Sequence, residues 1–275
     1  KWLERKHKHI IMMSSGKLTL CIDCGNTNIK FGVFDSVSLI ANFRVATDTI
    51  KTSDEYAIML RSLLKEDKLD PNQFEGAIIS SVVPPVTPLM ERAIEKVLAK
   101  NSIVVKPGIK TGMGIQAENP KELGSDLLCL AVGASVRHSL PAIIVSFGTA
   151  TAFVAVSRKP DILGVAIAPG IISALNSLTT MTAKLPRIEI VIPETALGRN
   201  TIDSMRAGIT FGFAGLVDRV VVEMSKNMDE QPIVIATGGL LNLISTVTTT
   251  VSRFDPFLSL YGLKALYDKN VEHRE

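Results

Sequence analysis

The 275-residue sequence contains no uninterrupted run of about 18 apolar residues, so nothing in it predicts a membrane span. It has only three cysteines, which is too few to build a disulfide framework in a chain of this size. It also lacks a strong charge bias. Thirty Lys and Arg stand against 27 Asp and Glu, a net charge of +3, and this balance gives no signature of a nucleic-acid partner. Part of the basic excess sits in the first nine residues, with only Ile10 to Met13 as an apolar stretch after it, shorter than a signal peptide requires. Residues 1–16 read as a disordered extension, with Met12 and Met13 as candidate starts. A Gly-x-x-x-x-Gly-Lys-Ser/Thr phosphate loop is absent, which removes the commonest nucleotide-binding motif. The composition that remains, 46% hydrophobic and 21% charged, supports a large buried core and a cytoplasmic protein.

Leu18 to Asp23 is an apolar run that ends on an acid. A polar turn, Cys24-Gly25-Asn26-Thr27-Asn28, separates it from a second apolar run, Ile29 to Phe34, and the pattern predicts a hairpin. Further strands are expected near Arg44 to Thr47, Gly76 to Val83 and Ile103 to Val105. Helices are expected from Ser53 to Leu64 and from Leu89 to Ala99, with Pro84, Pro85 and Pro88 ending the strand before the second helix. A Gly- and Pro-containing loop over 107–120 leads into a helix over 124–136.

The opening pattern then returns. Ile143 to Val145 is an apolar strand, Ser146 to Thr151 a small polar turn, and Ala152 to Val156 a second strand. Ser146 falls where Asp23 stands, and Gly148 where Gly25 stands. A repeated supersecondary unit implies two similar halves facing each other across a cleft. The second half continues through Leu163 to Pro169, helices at 171–179 and 201–224, a strand Ile233 to Ala236 capped by Thr237-Gly238-Gly239, and a helix at 258–267. The expectation is an α/β protein.

Asp23-x-Gly25-x-Thr27 suits phosphate chemistry. Gly25 lets backbone N–H groups approach an anion, while Asn26, Thr27 and Asn28 add donors. Asp23 at a strand end can hold Mg²⁺, directly or through water. Lys30 adds positive charge, unless strand alternation points it away. Gly148 and Thr149 repeat the arrangement in the second half. Cys21-x-x-Cys24 has redox spacing but no second ligand pair, so no zinc site is predicted. Cys129 is read as a helix core residue. His138 and His273 show no evident partners in the sequence, and His7 and His9 belong to the extension.

Six segments together resemble type III pantothenate kinases in order and spacing. They are 23–28, 107–112, 119–126, 147–151, 182–186 and 198–201, and the sequences Ala236-Thr237-Gly238-Gly239 and Leu260 to Asn270 agree as well. The resemblance runs from about Lys17 to Asn270. It implies two ribonuclease H-like halves of the actin-like ATPase type, divided here as 17–128 and 129–275, and a homodimer. It implies that ATP phosphates lie against Asp23, Cys24, Gly25, Asn26, Thr27, Asn28, Ile29 and Lys30, with Gly148 and Thr149 opposite. Gly124, Ser125, Asp126, Leu127 and Thr201 would hold pantothenate, and Asp126 would be the general base. Mg²⁺ at Asp23 and a monovalent cation, K⁺ or NH₄⁺, at the Ser146 position complete the implied site.

Four residues depart from the family pattern. Ser146 stands where an Asp is associated with the monovalent cation, and a neutral Ser weakens that site. Leu127 stands where an Arg contacts substrate, and its loss removes five donors and a fixed charge. Ala117 replaces a Tyr. Val165 replaces the second Gly of a pair, at a position where the backbone is expected to need unusual φ or close packing. These departures leave two readings open: an active kinase with altered cation or substrate dependence, and a paralogue that keeps the fold as a nucleotide-binding or regulatory accessory protein.

Overall fold

The computed structural model describes residues 17–116, 118–239 and 246–271. Its first sheet begins as an antiparallel meander of β1 (Leu18–Cys24), β2 (Asn28–Asp35) and β3 (Ser38–Ala46). After α1 (Ser53–Glu66) the chain adds β4 (Phe74–Ser81) parallel to β1, and after α2 (Thr87–Leu98) it adds β5 (Ser102–Val104). The order is β3-β2-β1-β4-β5.

A two-residue strand, β6 (Gly114–Ile115), and α3 (Ser125–Arg137) lead into the second sheet. There β7 (Ala142–Phe147), β8 (Ala150–Val156) and β9 (Asp161–Pro169) form a second antiparallel meander. Helices α4 (Ile171–Met181) and α5 (Thr201–Ser225) follow, then β10 (Ile233–Gly238) and β11 (Arg253–Phe254), both parallel to β7 in direction. The order β9-β8-β7-β10-β11 repeats that of the first sheet, with β6 added beside β9. The repeat expected from two apolar-turn-apolar patterns is therefore a repeat of the whole five-stranded unit. The chain closes with α6 (Leu258–Val271).

Both faces of each sheet are covered, which is why the central strands read as continuous apolar runs rather than alternating ones. On β1, Leu20 and Ile22 point outward to Tyr56, Leu60, Met90 and Ile94 of α1 and α2. Cys21 points inward, toward the layer formed by α3 and α6. That layer is shared: Leu128, Val132, Leu260 and Leu263 pack with Ile78 of the first sheet and with Ile144 and Val154 of the second. Ile143, Val145 and Phe153 face away from it, under α4 and α5. Cys21 and Cys24 thus lie on opposite faces of β1, in separate cores.

Local chemistry explains the element ends. Thr52 caps α1 in a reciprocal box: its hydroxyl accepts from Glu55 N at 3.3 Å, and Glu55 accepts from Thr52 N at 2.8 Å. Pro88 does not stop the chain before α2, as the sequence suggested. It sits in the first turn of that helix, where a missing N–H costs nothing. β9 is a regular strand through Val165, which pairs with Val154, and Val165 is not among the residues with positive φ. The expected backbone requirement at that position is absent.

Helices α3 and α6 cross at two glycines. A Cβ on Gly262 would overlap the carbonyl oxygen of Cys129, and one on Gly133 would overlap that of Leu258. Beyond the crossing, Asp255 fastens the helices together. It accepts from Arg137 Nε at 2.9 Å and from Phe257 N at 3.1 Å, and it lies 3.1 Å from His138 Nε2. His138, which showed no partner in the sequence, is paired here. The Arg137 guanidinium also stacks 3.9 Å above the Tyr261 ring. His273 lies outside the described residues.

Candidate active site

The two hairpin turns meet. Thr27 Oγ1, in the turn between β1 and β2, lies 2.7 Å from Thr149 Oγ1, in the turn between β7 and β8. Each turn is closed by its glycine amide: Gly25 N donates to Asn28 O and Gly148 N to Ala150 O, both at 3.1 Å. The first turn is strapped from the side by Thr47, whose hydroxyl donates to Gly25 O at 2.6 Å and whose amide donates to Thr27 O at 3.0 Å. The second is held by Ser173 of α4, whose hydroxyl donates to Thr149 O at 2.8 Å. Asn26, Thr27, Gly148 and Thr149 remain exposed around this contact.

Asp23 lies just beneath, buried at the end of β1. One carboxylate oxygen accepts from Ser259 Oγ of α6 at 2.8 Å and lies 3.4 Å from Lys30 Nζ. Lys30 therefore points into the site. It is the direct cross-strand partner of Asp23, and such partners share a face. Cys24 and Ile29 are turned the other way, with side chains buried against α1 and α2, so only their backbone faces the turn.

The N-terminus of α3 reaches the same place. Asp23 is paired in register with Ser80 of β4, and Ser80 Oγ donates to Ser125 Oγ at 3.0 Å. Ser125 in turn donates to Ser81 O at 3.2 Å. This fixes the first turn of α3 to the carboxyl ends of β1 and β4. The Asp126 carboxylate folds back over that turn, where a side chain on Gly124 would strike it. Burial pushes the Asp126 carboxyl above its usual range, and the Asp23 charge adds to the rise. The first-turn amides and the Lys30 ammonium oppose it. Leu127 is buried in the central core, so it presents no polar group to a ligand.

Thr201 opens α5, whose cap is Asn200: its side chain accepts from Asp203 N at 2.9 Å and donates to Asp203 Oδ2 at 2.7 Å. At the end of β10, Gly238 has φ of +108°, and a Cβ there would overlap Phe147 O. This lets Gly239 N donate to Phe147 O at 3.2 Å, closing β10 over β7. Ser146 is half-buried, opposite Ala152 and Thr237. Ala117 lies outside the described residues. Ser259, Thr47 and Ser80 were not found by sequence reasoning. Ser259 is 236 residues from Asp23, and no local pattern marks it.

Among the described residues, no three His, Cys, Asp or Glu side chains cluster as a metal site. The set near Asp23 still suits a hard divalent cation. Its second carboxylate oxygen has no hydrogen-bond partner among the described residues, and Mg²⁺ takes one or two carboxylates together with substrate phosphates. Ser146 and its neighbours offer only neutral oxygens, which do not fit a carboxylate-based monovalent cation site.

The sequence model for type III pantothenate kinase matches residues 19–223. The chain belongs to the type III pantothenate kinase family. A type III pantothenate kinase from Geobacter sulfurreducens is 44% identical over 255 residues, 93% of this chain and all of the relative. One from Moorella thermoacetica is 44% identical over 254 residues, 92% of this chain and all of the relative. In three dimensions the chain is similar to the activator of 2-hydroxyisocaproyl-CoA dehydratase from Clostridium difficile. That likeness has a TM-score of 0.58 at 12% identity and covers 94% of this chain and 97% of that one. At such identity the likeness shows fold alone, and the fold is the two-half α/β architecture of actin-like ATPases.

Proposed function

We propose that this member of the family transfers the terminal phosphoryl group of ATP to pantothenate, giving ADP and 4′-phosphopantothenate, the entry step of coenzyme A synthesis. The contact between Thr27 and Thr149 carries the reading. It brings two anion-suited turns from opposite halves to one point, and the first of them follows directly on the strand that ends with Asp23. In this reading the turn over 24–28, with Lys30 and Asp23, lines the phosphates, and Gly148 and Thr149 close on them from the other half. Gly124, Ser125, Asp126 and Thr201 face the acceptor.

Asp126 takes the acceptor hydroxyl's proton and orients its oxygen toward the terminal phosphorus. A raised carboxyl is a better base than an ordinary one, and the Lys30 ammonium works against the rise. Asp23, steadied by Ser259, would hold Mg²⁺, which supplies charge neutralisation to the phosphates when bound. No step is assigned to a monovalent cation, because Ser146 provides no carboxylate.

The burial of Leu127 favours a second reading for the acceptor. With no guanidinium at that position, nothing there matches a carboxylate, and an uncharged pantetheine-type acceptor would lose less than pantothenate does. The exposed Ile167, Met181, Leu197 and Phe211 of β9, α4, α5 and the intervening loop support a homodimer formed through the second half. Gly208, Gly212 and Gly215 lie on the exposed side of α5, with open space above them for a second helix.

ADP release by the full chain with ATP, Mg²⁺ and pantothenate, and separately with pantetheine, tests the function. Turnover of pantothenate supports the first reading, and turnover of pantetheine alone supports the second. A folded protein that turns over neither refutes phosphorylation of this acceptor class.

A further inference from the structure

Asp23, Lys30 and Arg44 form a row across β1, β2 and β3: Asp23 pairs in register with Lys30, and Lys30 with Arg44. Direct cross-strand partners share a face, so all three lie on the side turned toward α6 and the second half. Lys30 spends its charge on Asp23. Arg44 does not pair: among the described residues it has no carboxylate or hydrogen-bond partner. It is exposed, yet it crosses to the other half. A Cβ on Gly239 would stand 3.5 Å from its Nη1. Its guanidinium therefore lies against the bare backbone that follows β10.

This placement costs the fold. Like charges directly opposite in a sheet destabilise it, and an unpaired guanidinium leaves five donors with nothing but water. The exposed Thr27 turn lies in the same half as Arg44, and the Thr149 turn with the side-chain-free Gly238 and Gly239 belongs to the other. A ligand carrying several negative charges would offset the repulsion between Lys30 and Arg44 and satisfy the fork of donors.

We propose that Arg44 is a nucleotide-contacting residue that pairs with the phosphate chain of the bound nucleotide at the edge where β3 meets the end of β10. The inference rests on the ATP reading of this site and adds to it a cation from the third strand.

Calorimetric titration of the full chain with a non-hydrolysable ATP analogue, ADP and adenosine tests this in the wild type, Arg44→Gln and Arg44→Lys. A lost charge-assisted contact should weaken the analogue by about tenfold or more in Arg44→Gln. Adenosine should stay within about twofold, since only the charge interaction is removed. Arg44→Lys should recover part of the loss, because a point charge remains but the fork does not. Without ligand, Arg44→Lys should melt with the wild type and Arg44→Gln at or slightly above it, since Gln relieves the repulsion with Lys30, so weaker binding cannot be ascribed to unfolding. Unchanged analogue affinity in Arg44→Gln would overturn the proposal, and so would an equal loss for adenosine. A wild type that binds none of the ligands would overturn the ATP reading itself, and this inference with it.

Discussion

Replacing Gly262 by Ala sets two physical effects against each other. In a helix interior Ala is favoured over Gly by about 0.8–1 kcal/mol, so propensity alone predicts stabilisation. The structure predicts the opposite. A Cβ on Gly262 would overlap Cys129 O and stand 2.9 Å from Gly133 N, and both obstacles are backbone atoms of α3 that cannot rotate away. Restoring ordinary contact requires the two helices to part by roughly 1.5 Å. Overpacking of this kind costs about 1–3 kcal/mol, and the upper end applies because neither neighbour is a flexible side chain. After the propensity gain the net is about 2 kcal/mol of destabilisation. For a chain of this size that lowers the melting temperature by about 4–8 °C.

The same movement reaches the site. α6 carries Ser259, which holds Asp23, and α3 carries Asp126 one turn before Cys129. A displacement near 1 Å can cost about a hundredfold in rate, so a turnover loss of tenfold to about a hundredfold is expected at a temperature where the variant is folded. Calorimetric melting and ADP release are the assays. Gly164→Ala is the control: that glycine lies on β9 with nothing within 4 Å of an added Cβ, and its melt should match the wild type. A Gly262→Ala protein that melts at or above the wild-type temperature would show that the crossing relaxes freely, and the reasoning would fail.

Three further expectations concern the site and a fourth the dimer face. The acid limb of kcat/KM should lie above the ordinary carboxylate value of 3.8, because burial and Asp23 raise Asp126, and Lys30→Gln should move it higher still by removing the one cation that lowers it. Asp126→Asn should cut turnover by about 10²–10⁴-fold. Yet it should melt no lower at neutral pH, since a carboxyl raised on folding loses stability as pH rises through the window above its ordinary value; a lower melt would contradict the sign. Turnover by the wild type should not distinguish K⁺ from Na⁺, whereas Ser146→Asp should gain a dependence on K⁺ or NH₄⁺; a K⁺-dependent wild type would refute the reading of the neutral oxygens at that position. Gly212→Leu should shift the chain toward monomer in analytical ultracentrifugation, and an unchanged mass distribution would remove α5 from the proposed dimer face.

The strands were legible because their faces are both buried, which makes β1, β4, β7 and β10 stand out as apolar runs between polar turns. The repeat was legible for the same reason. What the linear pattern could not supply was phase across a turn. Alternation counted along the chain left the direction of Lys30 open, and only the register that pairs Asp23 with Lys30 settles that both point inward. Long-range pairs were out of reach for a similar reason. Thr27 and Thr149 are 122 residues apart, and His138 finds Asp255 after 117 more. Val165 shows the reverse error: a family glycine pair suggested special backbone, but regular pairing with β8 accommodates a branched side chain without it. Leu127 is a subtler case. Read as a lost guanidinium it is a defect, yet one α3 turn inside a shared core it is also a well-packed leucine.

The two copies of the unit have diverged in charge, and the proposed function gives each copy a different task. In the first, the strand-end residue Asp23 has Lys30 across the hairpin and Ser80 on the parallel neighbour. In the second, the corresponding trio is Ser146, Ala152 and Thr237, all neutral. The first half thus holds an acid and two cations within one row, the set that the proposed metal and polyphosphate require. The second offers hydroxyls, amides and a glycine backbone, which suit close approach but bring no charge of their own. Charge recognition and closure are therefore separable in this fold. A substitution at Asp23, Lys30 or Arg44 should act on the salt dependence of nucleotide binding, while one at Thr149 or Gly238 should act on fit alone.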